Sequence, residues 1–325
     1  MNELSTYTLK ILHKLYNKAF FVPPPKRPDC IDDADNASCL IYDKLISEQP
    51  CMVARFGAFE LATVTNYIDV KKRDHSIRKY LKGEESPWWW NKRLIQFMQS
   101  NAGFFPTTIE NIEKFCELML KDIPYTDILG SWLPNEIYFE KELQNCHKID
   151  LEILNPYFST IPWTKALENK KVLVIHPFAQ SIENQYRNRE LLFENKDVLP
   201  TFELQTIQAV QSIGGGDNVP YANWFEALDA MKGQTDKLDF DICLIGCGAY
   251  GFPLAAHVKR SGKQAVHMGG SLQLLFGIKG KRWEDTNYNK RYNYAKLMNE
   301  YWIKPDKTEK PKKAEKVESA CYWMF

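Results

Sequence analysis

The sequence predicts an α/β protein, Rossmann-like, with a mostly parallel sheet, helices on both faces and a helical N-terminal extension. Three observations predict it. From Lys170 onward, short apolar runs alternate with helical patterns, the order that βαβ units and a parallel sheet require. Asp241 to Gly251 runs from an apolar strand into Gly246-x-Gly248-x-x-Gly251 and then a short helix, the form of a phosphate-binding turn. Cys51 to Phe56 is a second apolar strand, which Gly57 turns into a helix.

In chain order, the segment up to Phe20 predicts an amphipathic helix with Leu9, Leu12, Leu15 and Tyr16 on one side. The Pro23-Pro24-Pro25 run ends it as a stiff connector. A second helix is expected over 37–47. After the strand at 51–56, Leu61, Val64 and Ile68 have core spacing in a helix from Ala58 to about Tyr67. Ser86-Pro87 reads as a helix start, carrying Trp88, Trp89 and Trp90. Thr107 or Thr108 caps the next helix, with Ile112, Phe115, Leu118 and Met119 inward. Asp127 to Trp132 reads as a strand leading into a loop.

Strands then follow at 171–176, 201–207, 240–245 and 264–268, with helices from about Ser181, over 223–231 and after Gly251. Pro177 stops the first of these strands, and Gly214 to Gly216 form a loop. The predicted division is an extension over 1–48, one α/β domain over 49–300 and a disordered Lys/Glu/Pro-rich tail over 304–325.

The totals exclude several classes. The chain has 325 residues with 42 Lys and Arg against 41 Asp and Glu, so no basic field points to nucleic acid. It has no apolar run long enough for a membrane span and no signal-peptide pattern at its start. Eight cysteines show no Cys-x-x-Cys pairing, which argues against a zinc site and for reduced thiols in a cytoplasmic protein. The ending Cys321 to Phe325 is not a prenylation box.

The glycine turn points to a nucleotide or a nucleotide-linked substrate. Glycines let the backbone turn and approach a ligand, and the following helix N-terminus attracts phosphate. Close helix–strand packing needs glycines too. A dinucleotide site would also need an acid at the end of the next strand. That strand ends in His267, Met268, Gly269 and Gly270, which argues against an NAD enzyme.

Ligands of open parallel sheets bind beyond the carboxyl ends of the strands. That rule selects Arg55 to Glu60, Gly130 and Ser131, His176 to Ser181, Gln205 and Thr206, Gly246 to Gly251, and His267 to Gly270. Arg55 at a strand end calls for an anion or a carboxylate. Glu60, in the next helical turn, suits a base or a divalent-metal ligand. Alternatively, Glu60 caps its own helix and pairs with Arg55. His176 and His267 are candidate hydrogen-bond donors to a phosphate or sugar. Gly277 to Trp283 is a cationic loop that either clamps phosphate or is solvated with Trp283 tucked inward. The tryptophan run offers a sugar platform, a core element or a dimer contact.

Val53 to Leu61 resembles the opening motif of the GT-D bacterial glycosyltransferases, in which a strand runs into Arg-x-Gly-Asp-Gly-Glu. The segments 127–131, 171–176, 241–251 and 267–270 resemble that family's later strands and turns in the same order. The resemblance implies transfer of a sugar from a nucleotide-diphosphate sugar to a glycan acceptor. It implies Glu60 and Arg55 as catalytic residues. It gives the donor to Gly57, His176, Ser181, Gly246, Gly248, Tyr250, Gly251, His267, Gly269, Lys279 and Arg282. In the family an Asp-x-Glu pair belongs to the donor and metal site. Here Ala58 replaces the Asp, so a Mn²⁺ or Mg²⁺ ion would rest on Glu60 alone. Arg55, Lys279, Lys281 or Arg282 would then neutralise the leaving diphosphate. The other functions considered are a Rossmann-like methyltransferase and a non-catalytic nucleotide- or glycan-binding subunit. A homo-oligomer is a further expectation.

Overall fold

The computed structural model describes residues 3–21, 26–213 and 219–309. Seven strands form one sheet: β1 (Cys51–Arg55), β2 (Ile128–Ser131), β3 (His147–Asp150), β4 (Lys171–His176), β5 (Glu203–Gln208), β6 (Ile242–Ile245) and β7 (Gln264–His267). Their order is β3-β2-β1-β7-β6-β4-β5, and every pairing is parallel. Among the described residues, twelve α-helices accompany them. The first six are α1 (Glu3–Ala19), α2 (Ala34–Ile46), α3 (Ala58–Lys71), α4 (Ile77–Leu81), α5 (Lys92–Ser100) and α6 (Ile109–Asp122). The others are α7 (Ala179–Tyr186), α8 (Arg189–Leu192), α9 (Trp224–Thr235), α10 (Gly251–Arg260), α11 (Leu272–Leu275) and α12 (Lys281–Glu284).

Successive side chains of a strand point to opposite faces, and here both faces are covered. Val53, Val172, Leu244 and Val266 enter one core with α2, α7, α8 and α11. Met52, Leu173, Cys243 and Ala265 enter the other with α3, α5, α6, α9 and α10. The strands are therefore continuous apolar runs without alternation, as Lys171 to His176 showed in sequence. The exceptions are the two edge strands: β3 has only Ile149 fully buried and β5 only Ile207. The β3 residues His-Lys-Ile-Asp carry no apolar pattern, so β3 was not expected.

Three expectations are corrected. Ser86-Pro87 starts no helix. The buried Asn66 claims the backbone there instead: its amide donates to the carbonyls of Pro87 (2.9 Å) and Trp89 (3.1 Å). Its Oδ1 accepts the Asn91 N–H (3.1 Å). The helix begins only at Lys92, under an Asn91 cap. Trp88 stacks on His75 at 4.9 Å and Trp89 lies edge-on to Tyr80, so the tryptophans pack locally.

The tail expectation fails over its first residues. Ile303 pairs with Ile278, and Glu309 is 4% exposed. Glu309 Oε1 accepts the N–H groups of Gln180 (2.9 Å) and Ser181 (3.2 Å), capping α7 from far along the chain. The remainder of that tail lies outside the described residues, as does the Pro23 to Pro25 connector. The N-terminal helix also departs from expectation. Leu9 is buried, but Leu12 and Leu15 are 43% and 56% exposed, because α1 meets the rest of the described residues chiefly at α4.

Candidate functional site

The β4 loop leads to α7 on one face, while the β6 loop leads to α10 on the other. Their divergence is a topological switch point, where open sheets make their crevices. A cleft with a cavity volume of about 180 Å³ opens there, at the carboxyl ends of β1, β4, β6 and β7. His176 and Gly246 stand side by side in it. A methyl group on Gly246 would come within 2.7 Å of both the His176 ring and the Gly269 carbonyl.

Arg55 and Glu60 line this cleft together. The Arg55 guanidinium sits 5.0 Å from the Trp132 ring centroid, a cation–π distance. Trp132 is itself fixed by its indole N–H, which donates to the Phe56 carbonyl (3.1 Å). Gly269 has φ +70° and lies against the Arg55 side chain, so a larger residue would be both strained and crowded. Glu60 occupies the first turn of α3, and its carboxylate folds back over Gly57. Burial raises its pKa above the ordinary carboxylate value; its own backbone N–H and the Arg55 charge oppose that shift.

The two histidines of the cleft are neutral and complementary. His176 Nδ1 accepts the Phe178 N–H (3.0 Å), which assigns the proton to Nε2 and makes that edge a donor. His267 Nδ1 faces the Ile245 carbonyl (3.2 Å), so its proton sits on Nδ1 and Nε2 is an acceptor. Burial brings both pKa values down to about 3, with Arg55 adding to the effect at His267. They offer hydrogen bonds without charge. The cleft's positive charge comes from Arg55, from Arg282 and from the N-terminus of α3.

Gly57, Gly248, Gly269 and Arg282 also line the cleft. Four expected donor residues do not. Ser181 turns away, and its hydroxyl donates to Glu309. Tyr250 is a core residue, stacked on Trp224 at 4.9 Å with its hydroxyl paired to Ser212 (2.9 Å). Gly251 supports the site from behind, since any side chain there would land inside the His267 ring. Lys279 is held by its backbone, with its N–H on the Ile303 carbonyl (2.7 Å) and its carbonyl on Gln273 (3.0 Å). Trp283 is 3% exposed, so the cationic loop is tucked in and only Arg282 reaches the cleft.

Sequence reasoning missed an adjoining pair of recesses. One shares Arg55, Gly270 and Arg282 with the cleft and adds Glu152, Asn155 and Tyr288. The next, of about 460 Å³, shares Glu152 and Tyr288 with it and Trp132 with the cleft. Glu152 follows β3, so the missing strand signal hid it.

A protein-held divalent ion needs several converging oxygen ligands. Among the described residues, no three His, Cys, Asp or Glu side chains converge. Glu60 has Ala58 where a second acid would stand, and two arginines share its cleft. Such a set does not fit a protein-held Mn²⁺ or Mg²⁺, which takes carboxylate oxygens.

No protein-family model matches the chain, and no curated protein does. Two solved structures are similar to it, both of a domain of unknown function 1792. One is a selenomethionine-substituted form, and the other is described as having a distinct glycosyltransferase fold. Each is 15% identical, with 81% of this chain and 91% of that chain covered and a TM-score of 0.31. No helix among the described residues is long and apolar enough to cross a membrane.

Proposed function

We propose that the protein is a glycosyltransferase that moves a sugar from a nucleotide-diphosphate sugar to a glycan acceptor, in polysaccharide or glycoconjugate biosynthesis in the cytoplasm. The observation that carries this reading is the meeting of Arg55, Arg282 and Glu60 in one cleft at the switch point of a parallel sheet. Two guanidiniums suit a diphosphate, which a single neutral imidazole would not neutralise. The His176 Nε2–H is a donor for a phosphate or ribose oxygen, and His267 Nε2 is an acceptor for a hydroxyl.

In the reaction, an acceptor hydroxyl oxygen bonds to the anomeric carbon. The bond from that carbon to the diphosphate oxygen breaks, and the electron pair leaves with the nucleoside diphosphate. Glu60 takes the hydroxyl proton, a role that its raised pKa suits. Arg55 and Arg282 stabilise the charge that grows on the diphosphate. No step is routed through a metal, because Glu60 stands alone among arginines. The methyltransferase alternative lacks a ribose-binding acid, since the glycine unit's following strand ends at His267.

A thermal-shift panel tests the proposal. Nucleotide sugars, nucleoside diphosphates, NAD and S-adenosylmethionine are each added with and without Mn²⁺. A bound ligand at about 100 times its dissociation constant adds roughly 2.7 kcal/mol of stability. The expected result is a shift with a nucleotide sugar and its diphosphate, unchanged by Mn²⁺. A shift only with NAD or S-adenosylmethionine would overturn the assignment.

A further inference from the structure

The mechanism uses the cleft and leaves the adjoining recesses without a role. Three features show that they are built for a ligand. First, they are continuous with the reacting centre: Arg55, Gly270 and Arg282 form the wall between the cleft and the nearer recess. Second, Glu152 is held in place. Tyr294 donates its hydroxyl to the carboxylate, and Asn155 Nδ2 donates to the Tyr294 hydroxyl (2.8 Å). Burial raises the Glu152 pKa, and Arg55 acts on it across the wall in the opposite sense. Third, Asn155 lines the recess at 6% exposed, and its buried amide oxygen finds no partner among the described residues, a cost of about 1–3 kcal/mol that a turn of the amide toward a ligand hydroxyl would recover.

The lining distinguishes among ligand classes. Trp132 and Tyr288 supply aromatic surfaces, and each carries one of the two arginines: Arg55 at 5.0 Å and Arg282 at 5.8 Å from the ring centroids. The larger recess carries both signs, with Asp150 and Glu152 alongside Arg27, Lys290 and an Arg291 paired to Asp32, so no wall is purely basic as a phosphate site would be. Aromatic faces combined with fixed carboxylate acceptors suit a ligand that has apolar ring faces and many hydroxyl donors. The larger recess, at about 460 Å³, lies within the range of roughly 300–1,000 Å³ typical of small-molecule sites.

We propose that the recesses bounded by Trp132, Glu152 and Tyr288 are the acceptor subsite and take the end of an uncharged oligosaccharide. Glu152 accepts hydrogen bonds from its sugar hydroxyls, and Tyr288 covers a ring face. The assignment as acceptor rests on the transferase reading, with the donor on the other side of Arg55.

The test is calorimetric titration of the full chain with chitotetraose, cellotetraose and maltotetraose, and separately with UDP and GDP. At least one tetrasaccharide is expected to bind. Glu152→Gln and Tyr288→Ala should each weaken that binding tenfold or more, and with Glu152→Gln nucleoside diphosphate affinity should stay within twofold. Tyr288 is 42% exposed and Glu152→Gln keeps the side-chain shape, so a thermal melt should find both variants folded. Absence of binding by all three tetrasaccharides, or binding that survives both substitutions, overturns the subsite. If a tetrasaccharide binds as expected and neither diphosphate does, the carbohydrate site stands and the transferase reading falls.

Discussion

At Gly57 the turn after β1 is filled by a carboxylate; at Gly246 to Gly251 the turn after β6 is filled by two imidazoles. Both turns have the same plan of apolar strand, glycine and helix. In each, the glycine is there because a side chain from elsewhere in the site occupies the volume a Cβ would need. At Gly57 the occupant is Glu60, four bonds out on a flexible chain. At Gly246 and Gly251 the occupants are His176 and His267, rings locked by backbone partners. One turn is charged and adaptable, and the other is neutral and rigid. A glycine pattern marks a close approach, and the residue that approaches decides whether the turn can meet an anion.

The largest test of this contrast is pH. The folded protein holds His176 and His267 unprotonated down to about pH 3, whereas an unfolded chain protonates histidine near 6.5. Between those values the unfolded state binds more protons, so stability rises with pH, by at most about 1.4 kcal/mol per unit for each ring. Glu60 acts in the opposite sense, because its raised pKa favours the folded state when protonated and that contribution fades as pH rises above the ordinary carboxylate value. Urea denaturation between pH 4 and 7 should show the net rise, and His267→Gln should flatten it. An unchanged slope would mean that the rigid turn does not hold its imidazole neutral.

Gly251→Ala should come next, costing about 2–3 kcal/mol of unfolding free energy because the His267 ring has nowhere to go. Gly57→Ala sharpens the comparison from the other side. There the obstructing group is the mobile end of Glu60, so stability should fall by less than about 1 kcal/mol. Sugar transfer, measured as nucleoside diphosphate release, should fall at least tenfold as the carboxylate is displaced. Equal stability losses at Gly57 and Gly251 would erase the distinction between the turns. The smallest effect belongs to Gly248→Ala. Its φ is +60° and the nearest atom to an added methyl is 3.6 Å away, so only backbone strain of about 1 kcal/mol is expected in the same denaturation assay.

The sheet was legible because strands buried on both faces carry unbroken buried runs, as the five inner strands do. The edge strand β3 carries no such run, and with it went Glu152 and the outer recesses. At the site, position along a strand was enough to bring Arg55, His176, Gly246 and His267 to one cleft. Side-chain direction was not available from that rule, and so Ser181 and Tyr250 were placed in a cleft that they face away from. The tryptophan run misled for a related reason: the Ser-Pro start signal is local, and Asn66, which overrides it, lies on a different helix. Composition misled at Lys304 to Glu309, where one carboxylate makes a polar stretch part of the fold.

That carboxylate has a bearing on how the protein is made. All seven strands have left the ribosome once His267 is clear, yet the N–H groups at the start of α7 await Glu309, which is synthesised much later. The loop from His176 to Ser181, which forms one side of the cleft, therefore takes its final position only once Glu309 has emerged. A nascent chain would complete its sheet first and its binding site last.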